Sequence, residues 1–222
     1  MKFTRVHIAV FLGLSTLAWL LTLLCQGVNV SREHLTPFGT VLSVLVVAAL
    51  LLEHVLWRVK FFQPWFVSRP DLTGTWRVEL QSDYSDPQTG TPIPVIVCYM
   101  GVKQTLSKLQ MHLMTPESES WFIAERITPS PSDQGYQVVG VYTNKPQIHL
   151  RGSKSDIHHG ALVLYTHGAP HRPTTITGEY WTDRSTSGSM TFSDRLTKVY
   201  TRYNDAHAAS GPHVLTRNAQ QS

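Results

Sequence analysis

The chain has 222 residues, a formal net charge of +4 and only two cysteines. The basic excess gathers before residue 67, where Lys2, Arg5, Arg32, Arg58 and Lys60 outnumber Glu33 and Glu53; it predicts no basic stripe on a folded domain, and neither DNA nor RNA is an expected partner. Cys25 and Cys98 fall in unlike segments, which argues against a disulfide-built secreted domain and fits a reducing compartment.

The first elements are two apolar runs, "VHIAVFLGLSTLAWLLTLLC" from Val6 and "FGTVLSVLVVAALLLEHVLW" from Phe38. Each has about the 20 residues that a helix needs to cross the hydrocarbon core. A short polar connection joins them, with Pro37 suited to a helix start. The expected element is a two-helix transmembrane hairpin over 1–66, closed by an aromatic interfacial linker. Lys2 and Arg5 before it, and Arg58, Lys60 and Arg69 after it, place both termini in the cytoplasm by the positive-inside rule. Glu53 and His54 then either mark a pathway or an assembly contact at membrane depth or fall in the headgroup region beside Arg58, the simpler reading. A cleaved signal peptide would leave the second apolar run unexplained.

From Leu72 the pattern changes to short alternating segments. Candidate strands are Thr75–Gln81, Ile93–Gln104, Lys108–Thr115, Ser120–Thr128, Tyr136–Thr143, Gly160–Thr166, Thr175–Thr182 and Ser189–Arg195. Turn material such as "SDPQTGTP", "TPESE" and "DRSTSG" separates them. About eight strands rich in Val, Ile, Thr, Tyr and Trp predict a mostly antiparallel barrel or sandwich over 67–205. The stretch "DRLTKVYTRYNDA" reads equally as a last strand or a short helix, and 206–222 as a disordered tail. An eight-strand barrel either holds one small ligand or is filled by its own side chains. In "LSKLQMHLMT", Leu109, Met111 and Leu113 share one face; in "ESESWFIAERI", Trp121, Ile123 and Ile127 alternate with Ser120, Phe122 and Ala124. Periodicity alone does not show a pocket.

No catalytic arrangement is present: there is no Gly-x-Ser-x-Gly elbow, phosphate loop or His-Glu-x-x-His, so an enzyme is not expected. A metal site is not expected either, because His158 and His159 point to opposite faces of a strand and His167 and His171 lack a nearby cysteine or acidic set. The polar clusters are Ser118 with Ser120, "VYTNKP" around Tyr142 and Asn144, "HHG" at His158–Gly160, and "GEYWTDRSTSG" from Gly178. Tyr180, Thr182 and Arg184 share strand parity. A ring, a hydroxyl and a guanidinium suit a nucleotide by stacking and phosphate contact; a strand pair ending in a polar hairpin gives the same pattern.

Taken in order, the two apolar runs, the aromatic linker, "PDLTGTW", "VKQTLSKLQMHLMTPESES", "GVYTNKP", "HHGALVL" and "GEYWTDRSTSG" resemble the two-transmembrane, β-strand-rich effectors of bacterial CBASS antiphage systems, the Cd-NTase-associated protein 15 family. The resemblance runs from the first helix to about Tyr200. It implies a cytoplasmic antiparallel barrel of about eight strands, anchored in the inner membrane, that binds a cyclic dinucleotide made by a cognate nucleotidyltransferase. Binding would drive homo-oligomerisation, inner-membrane disruption and death of the infected cell, with no cofactor beyond the messenger. Positions matching the family's polar motifs are Gln104, Ser107, Ser118, Ser120, Tyr142, Asn144, His159, Tyr180, Thr182 and Arg184. The Gly74-x-Trp76 start also resembles lipocalin-type barrels, with Trp76 packed at the base. The alternative function is therefore a membrane-tethered carrier of a lipid or small apolar ligand.

Overall fold

The computed structural model describes residues 5–28, 31–62, 67–85, 89–130, 135–152 and 155–211. The chain divides into two compact units: Met1–Phe62 together with Thr105–Lys108, and Gln63–Gln104 together with Leu109–Ser222.

The first unit holds helices α1 (Arg5–Cys25) and α2 (Arg32–His54), followed by two 3-10 turns at Leu56–Arg58 and Lys60–Phe62. The expected transmembrane hairpin is not borne out: among the described residues no helix is long and apolar enough to cross a membrane. The multi-pass inner-membrane placement with both termini cytoplasmic falls with the hairpin, because the positive-inside argument needs spans to orient. The linker residues 63–66 lie outside the described residues.

Glu53 is held by the Thr105–Lys108 turn of the same unit. Its carboxylate accepts hydrogen bonds from the Thr105 hydroxyl at 2.5 Å, the Ser107 hydroxyl at 2.7 Å and the Ser107 amide at 3.2 Å. Its carbonyl accepts the Leu106 amide at 3.0 Å. Burial disfavours the charge, but these bonds outweigh it and hold the carboxyl below its usual value. The turn Thr105–Lys108 is thereby fastened to the end of α2.

The second unit is a closed barrel of eight strands in sequence order: β1 (Gly74–Ser82), β2 (Ile96–Gln104), β3 (Leu109–Met114), β4 (Ser118–Pro129), β5 (Tyr136–Pro146), β6 (His158–Ala169), β7 (Arg172–Thr182) and β8 (Ser187–Leu196). All neighbours are antiparallel, and β1 pairs with β8 to close the cylinder, so no sheet edge is left unpaired. The eight predicted strands are all present. Most extend further than predicted because ladder pairing continues where side-chain alternation fades, as in Asn144↔His158. The second starts three residues later, after an irregular β1–β2 loop.

Alternation places Trp76, Val78, Met100, Val102, Leu109, Met111, Val138, Leu164, Ile176 and Phe192 inside. Each such side chain contributes about 1.5–3 kcal/mol by leaving water. Trp76 is fully buried at the base, as expected. Its indole N–H donates to the Leu72 carbonyl at 3.0 Å, and the Arg195 guanidinium lies over its ring. Leu109, Met111 and Leu113 face in as predicted. In β4 the inward set is Ser120 and Phe122, and a bulge between Phe122 and Ala124 then turns Ile127 inward. The ambiguous stretch after β8 resolves into strand to Leu196 and a helix, α3 (Tyr203–Ser210). Tyr203 and His207 of α3 pack on Tyr99, whose hydroxyl lies 3.1 Å from His207 Nδ1. Residues 212–222 of the expected tail lie outside the described residues.

Candidate ligand cavity

The base of the barrel is filled; the other end is not. A cavity of about 790 Å3 opens there, within the roughly 300–1,000 Å3 usual for small-molecule sites. Its floor is apolar, with Leu80, Met100, Leu113, Phe122, Leu162 and Met190. Its upper wall is polar, with Ser118, Ser120, Asn144, Ser155, His158, Thr182, Arg184 and Thr186. Tyr142 and Tyr180 stand between the two layers.

Glycines on the facing strands seat both rings. Tyr142 pairs across the ladder with Gly160, where a Cβ would sit 2.4 Å from the ring's Cζ and hydroxyl. Tyr180 pairs with Gly188, where a Cβ would lie 2.7 Å from the ring's Cε1. The missing methyl groups let the rings lie against the wall instead of across the opening. Burial is the main cause that pushes both phenols up, aided for Tyr142 by Tyr180 and Asp183 and for Tyr180 by Asp83; the Ser82 hydroxyl partly offsets the rise at Tyr180. Both are neutral hydroxyl groups at physiological pH, able to donate and to accept.

The polar wall is pre-arranged. Asn144 donates through Nδ2 to the Ser120 hydroxyl at 2.8 Å and to the Ser118 hydroxyl at 3.2 Å. The Thr182 hydroxyl lies 2.7 Å from that of Thr186 and accepts the Arg184 amide at 3.2 Å. Arg184 donates from Nη1 to the Ser155 hydroxyl at 2.8 Å, which ties the β7–β8 turn to the β5–β6 loop at the mouth. The β7–β8 turn is also anchored by Asp83, which accepts the Ser187 amide at 2.8 Å and hydroxyl at 2.6 Å.

Of the ten sequence-derived positions, Ser118, Ser120, Tyr142, Asn144, Tyr180, Thr182 and Arg184 converge on this cavity. The other three lie elsewhere. Gln104 is buried at the base, accepting the Leu72 amide at 2.9 Å and donating to the Pro70 carbonyl at 2.8 Å. Ser107 binds Glu53. His159 points outward, 3.1 Å from the Thr143 hydroxyl, while its neighbour His158 lines the cavity. Inward parity with Gly160 and Leu162 was the signal for His158. The lining from Ile93 to Ile96 had no such signal, because that loop has no period. Among the described residues no group of three or more His, Cys, Asp or Glu is placed to hold a metal ion.

Residues 67–194, which span the barrel from before β1 into β8, match the family model described as Cap15, cyclic dinucleotide receptor domain. The chain belongs to the Cap15 family. The Cap15 domain is a ligand-binding receptor domain rather than a catalytic one, and together with the closed barrel it fits a CBASS effector that binds a cyclic dinucleotide. No curated protein gives a significant match.

Proposed function

We propose that the cavity at the open end of the barrel is where this Cap15 domain takes its cyclic dinucleotide. The observation that carries the reading is the convergence of Tyr142, Tyr180 and Arg184 on one cavity with an apolar floor. The bases enter among Phe122, Leu162, Met190 and the two tyrosines, where stacking is worth about 1–3 kcal/mol per base. The phosphates stay at the rim, where Arg184 supplies a fixed positive charge and the Ser118, Asn144 and Thr182 groups supply hydrogen bonds. A cognate nucleotidyltransferase makes the messenger during phage infection. Occupancy drives self-assembly of the chain, and the assembly disrupts the inner membrane and kills the infected cell.

The apolar floor also favours the second reading, a carrier of a lipid or small apolar ligand, and the two separate on charge. The test is thermal unfolding of the full chain against a panel of cyclic dinucleotides and a fatty acid. A cyclic dinucleotide at a hundred times its Kd stabilises the folded state by about 2.7 kcal/mol. Arg184→Ala removes a hydrogen bond to charge worth about 1.5–3 kcal/mol, so the shift should need at least tenfold more ligand. Stabilisation by the fatty acid alone, or a response indifferent to Arg184→Ala, would sink the proposal.

A further inference from the structure

Beside the mouth of the barrel lies a second recess, a cleft of about 460 Å3. Its walls are the β3–β4 turn with the start of β4, the end of β5 with the connection after it, and the residues around the start of α3. Gln147 fastens the first two walls. Its amide donates to the Glu117 carbonyl at 2.9 Å and its Nε2 to the Pro116 carbonyl at 2.8 Å. The cleft backs onto the ligand cavity, since Thr115, Pro116, Ser118 and Pro146 line both. Unlike the cavity, it gathers cations: Lys145 at the end of β5, Arg151 from the connection that follows, and Arg202 immediately before α3.

Among the described residues none of the three has an ion-pair partner. Arg151 donates from Nε to the Pro146 carbonyl at 3.2 Å, which steadies the side chain and leaves its two Nη groups unused. Two carboxylates share the cleft, Glu119 and Asp205. Glu119 lies opposite Lys145 in the β4–β5 ladder, but its carboxylate sits 3.4 Å from His112 Nε2. Three cations against two carboxylates leave the cleft short of negative charge. Arg202 is more than fifty positions from the other two, so local sequence pattern does not account for their meeting. Like charges brought together in a concave site focus their field and draw in an anion. Guanidinium forks match phosphate oxygens bidentately, and a lysine adds a point charge. We propose that the cleft is a second ligand site, which takes a phosphate group between Arg151, Arg202 and Lys145. Its volume falls within the range of small-molecule sites and leaves room for the group that the phosphate is attached to. A free nucleotide and a lipid headgroup both present this chemistry. The inference does not rest on the identity of the larger cavity's ligand.

Isothermal titration calorimetry of the full chain with sodium pyrophosphate, without cyclic dinucleotide, tests it. Lys145→Ala and Arg202→Ala remove side chains that hold nothing else among the described residues, and each should weaken binding about tenfold or more. Asp205→Asn removes a repelling charge and should tighten it, and added salt should weaken it. ADP that displaces pyrophosphate assigns the site to a free nucleotide. Phosphatidylglycerol vesicles that retain the wild type but not Arg202→Ala assign it to a lipid headgroup; either result supports a phosphate site. No binding of pyrophosphate, or binding indifferent to Lys145→Ala and Arg202→Ala, overturns the proposal. Binding that Arg184→Ala abolishes would place pyrophosphate in the larger cavity and also overturn it. A chain that is stabilised by a cyclic dinucleotide but ignores pyrophosphate refutes the cleft alone, so the two readings fail separately.

Discussion

Gly160→Ala is the sharpest perturbation of the cavity. The new Cβ would lie 2.4 Å from the Cζ and hydroxyl of Tyr142 and 2.7 Å from the Trp181 carbonyl. The Tyr142 ring must therefore move by about 1 Å, away from Gly160 and into the cavity that it lines. An off-rotamer ring costs about 0.5–1.5 kcal/mol, and the wider overpacking about 1–3 kcal/mol. At about 2–4 °C per kcal/mol for a chain of this size, the melting temperature should fall by roughly 3–18 °C. The ring also swings into ligand space, so affinity should fall with stability. The assay is urea unfolding of wild type, Gly160→Ala, Tyr142→Ala and the pair. Removing the ring relieves the contact at 2.4 Å but not the one with the Trp181 carbonyl. The pair should therefore be less destabilised than the sum of the singles by about 1 kcal/mol. Additivity within about 0.5 kcal/mol would refute the claim that Gly160 seats Tyr142.

Three further outcomes are expected. Phenolate absorbance should show tyrosines that resist ionisation past pH 10, and Tyr142→Phe should remove part of that resistant fraction. Because the folded state favours the protonated phenols, their contribution to stability is complete below the ordinary tyrosine value and is lost as pH rises above it. At Glu53 the sign is opposite. Its lowered carboxyl contributes above the ordinary glutamate value and is lost as pH falls through its folded value, so hydrogen exchange at the Leu106 amide should quicken on acidification and, at neutral pH, in Glu53→Gln. Trp76→Phe deletes the hydrogen bond to the Leu72 carbonyl and leaves a void against Arg195, costing about 1–3 kcal/mol in denaturant unfolding with little change in ligand affinity.

The barrel was legible because each strand carries its own local record, a period of two bounded by turn residues. Barrel closure was not, since β1↔β8 pairing joins Thr75 to Leu196 and no local pattern encodes it. The cavity was legible where parity and residue type agreed, as with Tyr180 and Thr182. It was missed where a motif was followed instead of the pleat, which is why His159 stood in for His158. Gln104 shows the limit of polarity as a signal: a polar side chain at a strand end is as useful for tying down a neighbouring segment as for meeting a ligand. The hairpin expectation rested on run length and flanking charge, while the fastening of Glu53 by Thr105 and Ser107 joins residues more than fifty positions apart.

The inward and outward patterns occupy the same strands. On β4, Ser120 and Phe122 face the cavity and flank Trp121 on the outer face; on β7, Tyr180 and Thr182 face it and flank Trp181. A pleated strand cannot shift one set without moving the other, so a ligand that rotates the Tyr180 segment by even a fraction of an ångström also re-aims Trp181. Such movement promotes assembly only if the assembled form binds ligand more tightly than the free form, and linkage then makes the effect reciprocal. Saturating cyclic dinucleotide should lower the self-association constant, measured as Kd, by some factor, and raising the protein concentration should tighten ligand binding by the same factor. Coupling free energies of this kind are about 1–3 kcal/mol, or 5–150-fold. Ligand affinity that is independent of protein concentration across the association range would refute the linkage between ligand and assembly.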